Sequence, residues 1–238
     1  MRMNASGKRW MGDKRTPLAD QVYADLRKRI VSLELPPNSS LSRQELSAYY
    51  GVSQTPLRDA IQRLEAEGLL DIFPQSKTVV TLIDDSLVRE CQFLRTALET
   101  EIVALLAADP DKSKIDAAQE SLARMEWVLA RDRELEEFDR LDKQFHRGLF
   151  IAADKQGLHD LVESRSGPLD RLRRLHLHAQ GERKPERVIA DHTKIIDMIR
   201  ESRVEDAKEA MRAHLAGTLA RLETLTELFP DHFPITAE

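Results

Sequence analysis

Residues 45–70 join two stretches of helical periodicity through a tight polar turn, and this pattern constrains the chain more than any other. Gly51 can adopt the left-handed conformation that ends a helix, and Pro56 suits the first turn of the next helix, where no amide donor is needed. After the turn, apolar side chains recur at helical spacing at Leu57, Ala60, Ile61 and Leu64. The pattern predicts two short helices, the second of which buries one face.

The opposite face of the second helix is polar and partly basic. It carries Gln54, Thr55, Arg58, Gln62 and Arg63. A helix-turn-helix presents a face of this kind to the major groove of DNA. Periodicity alone leaves a second interpretation open, in which the segment is an ordinary helical hairpin with a solvated polar face.

The flanking residues complete a larger motif. Thr16-Pro17 can start a preceding helix, because proline fits the first helical position. The β-prone runs 69–73 and 78–82 are separated by a short turn and predict a small hairpin. Three helices followed by a hairpin make a winged helix-turn-helix, which we place at residues 16–83. Residues 1–15 are expected to be a disordered basic tail.

This part of the chain resembles the DNA-binding domain of the GntR family of bacterial repressors. The matching residues are Leu35-Pro-Pro, Leu41, Glu45-Leu-Ser, Gly51-Val-Ser, Thr55-Pro-Leu-Arg58, Ala60-Ile61 and Leu64-Glu-Ala-Glu-Gly-Leu69. The resemblance implies that Gln54, Thr55 and Arg58 reach base edges or adjacent phosphates. It makes Arg43 and Lys77 candidates for phosphate contacts.

The sequence departs from the family pattern at several positions. The family usually has glycine where Leu33, Asn38 and Lys77 stand. Its common arginine after the serine of the turn is Gln54 here, and its usual glutamate after the next arginine is Asp59. These departures concern the wing and the base preference, and they leave the predicted fold intact.

Charge is distributed unevenly along the chain. The whole sequence has a formal net charge of −5, but residues 1–83 sum to +3 and residues 84–238 to −8. A basic N-terminal part joined to an acidic remainder is typical of a DNA-binding domain attached to a body with another task.

The composition favours a reducing compartment, which with the resemblance to bacterial repressors implies the bacterial cytoplasm. Cys91 is the only cysteine, so a disulfide framework is excluded and a reducing compartment is indicated. No apolar run approaches the roughly 20 residues that a membrane helix needs. The first fifteen residues lack the apolar core of a signal peptide. We therefore expect a protein without membrane contact, which is associated with the nucleoid when it binds DNA.

Residues 84–229 show helical periodicity almost throughout. They predict six helices with short connections, which make an antiparallel bundle with room for a core. Asp84-Asp85 can cap the first, which runs to about Ala108; the fourth is expected to bend at Gly167-Pro168. Residues 230–238 are expected to be a C-terminal tail. The predicted fold class is mainly α, with a winged helix-turn-helix followed by this bundle.

Four polar residues interrupt the apolar stripes of three different helices. They are Asp142, His146, His192 and His214. One inward histidine is usually a satisfied core residue, but three with a carboxylate one turn from the first indicate a metal site between facing helices. Imidazoles with one carboxylate suit Zn²⁺ best, and also Ni²⁺ or Mn²⁺.

Arg95 lies on an apolar stripe of the first bundle helix, where an unpaired charge is costly. Two interpretations remain open. Glu99, one turn further on, could pair with it, or the guanidinium could receive the carboxylate of a ligand. His176 also falls on an inward face and could line the same cavity.

Residues 85–228 resemble the FCD effector-binding domain of the FadR subfamily of GntR regulators. The matching residues are Leu94-Arg-Thr-Ala-Leu-Glu99, Asp142-Lys-Gln-Phe-His146, Asp191-His192-Thr-Lys-Ile-Ile-Asp197 and Ala213-His214-Leu. The resemblance implies a central metal, a small organic acid as effector and a homodimer. The whole chain is then identified as a metabolite-responsive regulator, most simply a repressor that binds a palindromic operator. The alternatives are a direct metal sensor and a metal-dependent hydrolase.

Overall fold

A computed structural model describes residues 16–73, 77–131, 134–179 and 185–234 of the chain. The described residues form two compact units. One comprises those of 1–88, 165–175 and 224–238, and the other comprises those of 89–164 and 176–223. The tail predicted at 1–15 lies outside the described residues.

Within the described residues of 16–83, the first unit contains three helices and a small sheet, as the sequence predicts for a winged helix-turn-helix. Gly51 ends α2 with a φ of 65°, in the left-handed conformation expected of it. An unpredicted two-residue strand, β1, pairs antiparallel with β3, which also pairs with β2, so the strand order is β1-β3-β2. The hairpin turn at 74–76 lies outside the described residues. The elements are α1 (Leu18–Val31), β1 (Ser40–Leu41), α2 (Arg43–Tyr50), α3 (Gln54–Ala66), β2 (Leu70–Ile72) and β3 (Thr78–Val80).

At two positions where the sequence departs from the family pattern, the backbone adopts a positive φ. Leu33 and Asn38, which stand where the family usually has glycine, both adopt a φ of 63°. A side chain at such a φ meets the following carbonyl, which costs roughly 1–2 kcal/mol for most residues and less for asparagine. These two turns therefore adopt the left-handed conformation without glycine, the residue that adopts it most easily.

The first unit also includes the start of a bundle helix, α8 (Gly167–His178). Arg171, which is fully buried, donates hydrogen bonds to the carbonyl oxygens of Thr81 at 2.7 Å and Leu82 at 3.3 Å, just after β3. Burial lowers the pKa of the Arg171 guanidinium to about 10. The segment that follows β3 is thus held by a residue about ninety positions later in the sequence.

The residues predicted as a C-terminal tail begin with regular structure in the same unit. Pro230–His232 form a 3-10 turn, and Phe233 is buried. The amide of Ile83 donates to the carbonyl of His232 at 2.8 Å. Residues 235–238 lie outside the described part of the chain.

The second unit is helical and contains an extensive apolar core. Asp84 caps α4 as predicted, because its Oδ1 accepts from the amide of Ser86 at 2.7 Å. The fourth predicted helix is two helices separated at Ser166, and Pro168 lies in the first turn of the second helix, where no amide donor is needed. The last predicted helix is broken after Gly217. The bundle helices are α4 (Asp85–Ala108), α5 (Asp116–Arg131), α6 (Leu135–Ala152), α7 (Gln156–Arg165), α8, α9 (Pro185–Arg200), α10 (Val204–Ala216) and α11 (Leu222–Leu228).

Leu158 and Leu161, predicted to face inward, are 37% and 46% exposed on α7. Across the residues described, no helix is both long and apolar enough to cross a lipid bilayer.

Candidate cation site and DNA-facing helix

Four side chains from three helices converge inside the second unit. α6 supplies Asp142 and His146, which lie one turn apart, while α9 supplies His192 and α10 supplies His214. One ligand atom from each residue lies within 4.8 Å of all the others. The structure therefore brings together the four residues that the interrupted stripes singled out.

The imidazoles meet through their Nε2 atoms. His214 Nε2 lies 3.2 Å from His192 Nε2 and 3.3 Å from His146 Nε2, and Asp142 Oδ1 lies 3.5 Å from His192 Nε2. Ligand atoms bound at about 2.0–2.1 Å around tetrahedral zinc are about 3.3 Å apart. Converging nitrogen lone pairs repel one another unless a proton or a cation lies between them, so this donor set fits a divalent cation.

A buried carboxylate stands behind the first histidine. Glu99 Oε2 lies 2.5 Å from the Nδ1 of His146, and only 2% of the Glu99 surface is exposed. Burial alone would raise the pKa of Glu99, but the Arg95 guanidinium and His146 outweigh it and hold the pKa well below its usual range. Burial lowers the pKa of His146 to about 4 despite the nearby carboxylate. Both shifts favour an anionic glutamate beside a neutral imidazole.

Arg95 takes part in the same chain of contacts. Its Nε donates to Glu99 Oε1, so the ion pair that the sequence left open as one of two interpretations is present. The positive charge of Arg95 also contributes to lowering the pKa of both His146 and His192. Glu99 consequently contacts Arg95 through one carboxylate oxygen and His146 through the other.

The other two histidines are held in different ways. Asp191 Oδ2 lies 3.5 Å from the Nδ1 of His214, and the proximity of His214 lowers the pKa of Asp191. The ring of Phe145 stacks on His192 with a centroid separation of 3.9 Å and an interplanar angle of 10°. Burial holds the pKa of His192 well below its usual value. All three rings therefore present Nε2 to the shared centre.

The sequence pattern predicted the four converging residues but gave their neighbours less weight. It considered Glu99 only as a partner of Arg95, and it noted Asp191 only as part of a motif. The i+4 spacing drew attention to Glu99 as a partner of Arg95, but its contact with His146 on another helix leaves no local signal. His176, predicted to line the cavity, is 9% exposed near the end of α8, and its part in ligand binding stays a prediction.

The polar face of α3 is exposed in the first unit. Gln54, Thr55 and Arg58 are solvent-exposed along it, as is Arg43 at the start of α2. Lys77 is exposed beside the wing, with its Nζ 5.3 Å from the centre of the Phe73 ring. These positions agree with a surface that could meet DNA.

Arg63, predicted on the same polar face, is exposed but contacts α1. Its NH1 donates to Asp20 Oδ1 at 2.6 Å, and its guanidinium lies 3.8 Å from the centre of the Tyr23 ring. Both partners belong to α1. Arg63 lies five positions after Arg58, so the two side chains point in clearly different directions around the helix.

Comparison with known sequences agrees with both halves of this description. The family described as bacterial regulatory proteins, gntR family, matches residues 18–80, and the FCD domain family matches residues 90–217. An uncharacterised HTH-type transcriptional regulator in an unstable DNA locus of Streptomyces ambofaciens is 35% identical over 91% of this chain and 89% of its own length. The HTH-type transcriptional repressor RspR of Escherichia coli K12 is 29% identical over 84% of this chain and 86% of its own.

One further relative and one solved structure are similar. A probable D-xylose utilisation operon transcriptional repressor of Paenarthrobacter nicotinovorans is 31% identical over 66% of this chain and 67% of its own length. The structure of E. coli McbR/YncC superposes with a TM-score of 0.71 at 20% identity, over 90% of this chain and 99% of that one, which supports the fold. The chain belongs to the GntR family of bacterial regulatory proteins, with a C-terminal FCD domain, and is a transcriptional regulator rather than an enzyme.

Proposed function

We propose that this regulator is a repressor whose FCD domain senses a small organic acid at a divalent-cation site. The observation that carries the proposal is the convergence of three Nε2 atoms and one carboxylate oxygen inside the domain. Two of the similar proteins are named as repressors, which supports the sign of regulation.

The cation would be held by Asp142, His146, His192 and His214. This donor set suits Zn²⁺ best and also accommodates Ni²⁺ or Mn²⁺, because imidazole and carboxylate serve all three. A bound cation would supply an electrophilic centre able to accept an oxygen atom of an acid. Water is kept from the ligands by burial, since three of the four side chains belong to the core.

The acid would be recognised by Arg95 and His176. A guanidinium fork matches a carboxylate in shape and charge, and Arg95 lies in the charged chain that supports the site. An acid that touched several helices would favour one packing of the domain over another. Such a switch typically changes operator affinity about 5–150-fold, which corresponds to about 1–3 kcal/mol.

Operator binding would use the exposed face of α3 in a homodimer. Gln54, Thr55 and Arg58 would contact base edges or adjacent phosphates, and Arg43 and Lys77 would contact phosphates. Because the symmetry of a dimer is mirrored in its half-sites, we expect a palindromic operator.

The test begins with DNA selected from a random-sequence library by the zinc-loaded protein. Sugar acids, hydroxy acids and dicarboxylates are then titrated against the selected complex, and release is followed by fluorescence anisotropy. We expect one of these classes to release the DNA, and Arg95→Ala to respond weakly or not at all at saturating zinc. Arg147→Ala, which removes an exposed arginine beside His146, is the matched control and should respond normally.

Three outcomes would contradict parts of the proposal. A normal dose–response for Arg95→Ala would mean that Arg95 is structural and that the acid binds elsewhere. Release by zinc alone, with no effect of any acid, would instead indicate a direct metal sensor. Failure to select any DNA would contradict the operator-binding face.

A further inference from the structure

Glu99 is a buried carboxylate with a ligand histidine on one side and an arginine on the other. It lies on α4, outside the set of four ligands, and yet its Oε2 is 2.5 Å from His146 Nδ1. Asp191 stands in a comparable position at the Nδ1 of His214, at 3.5 Å and with more exposure to solvent. Two of the three imidazoles are therefore backed by a carboxylate on the side away from the centre.

We propose that Glu99 and Asp191 are positioning residues that hold His146 and His214 in the tautomer whose Nε2 lone pair faces the cation. The inference rests on the proposed cation site, and it assigns roles to residues that do not touch the cation. A carboxylate can only accept a hydrogen bond, so it requires a proton on Nδ1. With the proton on Nδ1, Nε2 has a free lone pair. This tautomer is the one that binds a metal through Nε2.

Arg95 supports Glu99 in this role. Arginine can only donate, so its Nε occupies one oxygen of Glu99 and leaves the other for His146. The pairing also offsets the desolvation of a carboxylate that is almost completely buried. The chain Arg95–Glu99–His146 thus holds the imidazole in one orientation.

The isosteric variant Glu99→Gln tests this role sharply, because the side-chain amide of glutamine has only one oxygen. Arg95 can only donate a hydrogen bond, so it binds the single oxygen of the introduced amide. The NH₂ group of that amide then faces His146 and donates to Nδ1. His146 must then carry its proton on Nε2, where it blocks the cation. We expect Zn²⁺ affinity, measured by competition with a chromophoric chelator, to fall about 10–100-fold.

Two other variants calibrate this result. Glu101→Gln makes the same change on the same helix, at an exposed residue paired with Lys208 at the surface, and should leave zinc affinity unchanged. Asp191→Asn should weaken affinity less than Glu99→Gln, because a partly exposed amide can rotate to keep its oxygen towards His214. This variant also tests the inference if Glu99→Gln fails to fold.

A second readout separates positioning from mere stability. Long-range ¹H–¹⁵N spectra of the metal-free protein report which ring nitrogen carries the proton. His146 should be protonated at Nδ1 in the wild type and at Nε2 in Glu99→Gln. Unchanged tautomers with unchanged zinc affinity in both variants would overturn the inference. A wild-type protein that binds no zinc would instead overturn the cation site itself, while the tautomer measurement would still decide the role of Glu99.

Discussion

The ring of Phe145 lies parallel to that of His192, with the centroids 3.9 Å apart. Both residues are fully buried, and they come from two different helices, α6 and α9. His192 is the ligand without a carboxylate partner among the contacts described at its Nδ1. The aromatic stack therefore constrains the plane of this imidazole.

Replacing Phe145 with leucine should loosen that orientation while keeping an apolar core. We expect Zn²⁺ affinity to fall several-fold, together with a loss of about 1–2 kcal/mol in the free energy of unfolding from the imperfect fit. Phe150→Leu is the matched control, because Phe150 is equally buried on the same helix and contacts His159 instead. Equal zinc affinities for the two variants would show that stacking has no part in the site.

Arg58 and Arg63 offer a paired test of the DNA-facing surface. Arg58→Ala should weaken binding to a selected operator by about 1–3 kcal/mol if the side chain contacts a base. Arg63→Ala should bind nearly as tightly as the wild type, because Arg63 is committed to Asp20 and Tyr23 on α1. Anisotropy titrations at several salt concentrations measure both. The reverse order of effects would mean that α3 meets DNA through another face.

Leu33 should be replaceable by glycine with a gain in stability. Its φ of 63° is unfavourable for a branched side chain, and the residue is only partly buried. Glycine removes the steric cost, so we expect Leu33→Gly to raise the free energy of unfolding by about 1 kcal/mol. Asn38→Gly should gain less, because asparagine tolerates this conformation. Denaturant unfolding of both variants checks the order, and a loss of stability in Leu33→Gly would show that its packing outweighs the strain.

Arg171 should be important for the first unit although it lies far from α3 in sequence. Arg171→Met would leave the carbonyl oxygens of Thr81 and Leu82 without their buried donor, which costs about 1–3 kcal/mol. We expect faster hydrogen exchange in β3 of this variant. Arg212→Met, at an exposed arginine on α10, should have little effect. An unchanged exchange rate in β3 would mean that relief of the buried charge compensates for the lost hydrogen bonds.

Features that leave a local pattern in the sequence could be predicted, and features that depend on contacts between distant residues could not. Gly51, the stripe of α3 and the interrupted stripes at Asp142 and His192 are local patterns, and they predicted the helix-turn-helix and the cluster of four converging side chains. β1 is two residues long and exists only through its pairing with β3, so it leaves no periodicity.

Other features depend on which elements face each other. Periodicity predicted that one side of α7 faces inward, but Leu158 and Leu161 are substantially exposed. A stripe of apolar residues identifies the apolar face of a helix. It does not identify the element that packs against that face. The contacts of Arg171 with Thr81 and of Glu99 with His146 join residues that are distant in sequence. A single sequence contains no record of such pairs.

The central claim is that the FCD domain holds a cation through histidines of three helices, and metal analysis of His192→Ala tests it most directly. The wild-type protein, purified without chelators, should contain close to one divalent ion per chain, and His192→Ala should lose most of it. His159→Ala removes a histidine outside the cluster and should retain the full amount. Full retention of metal by His192→Ala, or a wild-type protein without metal after incubation with Zn²⁺, would contradict the account.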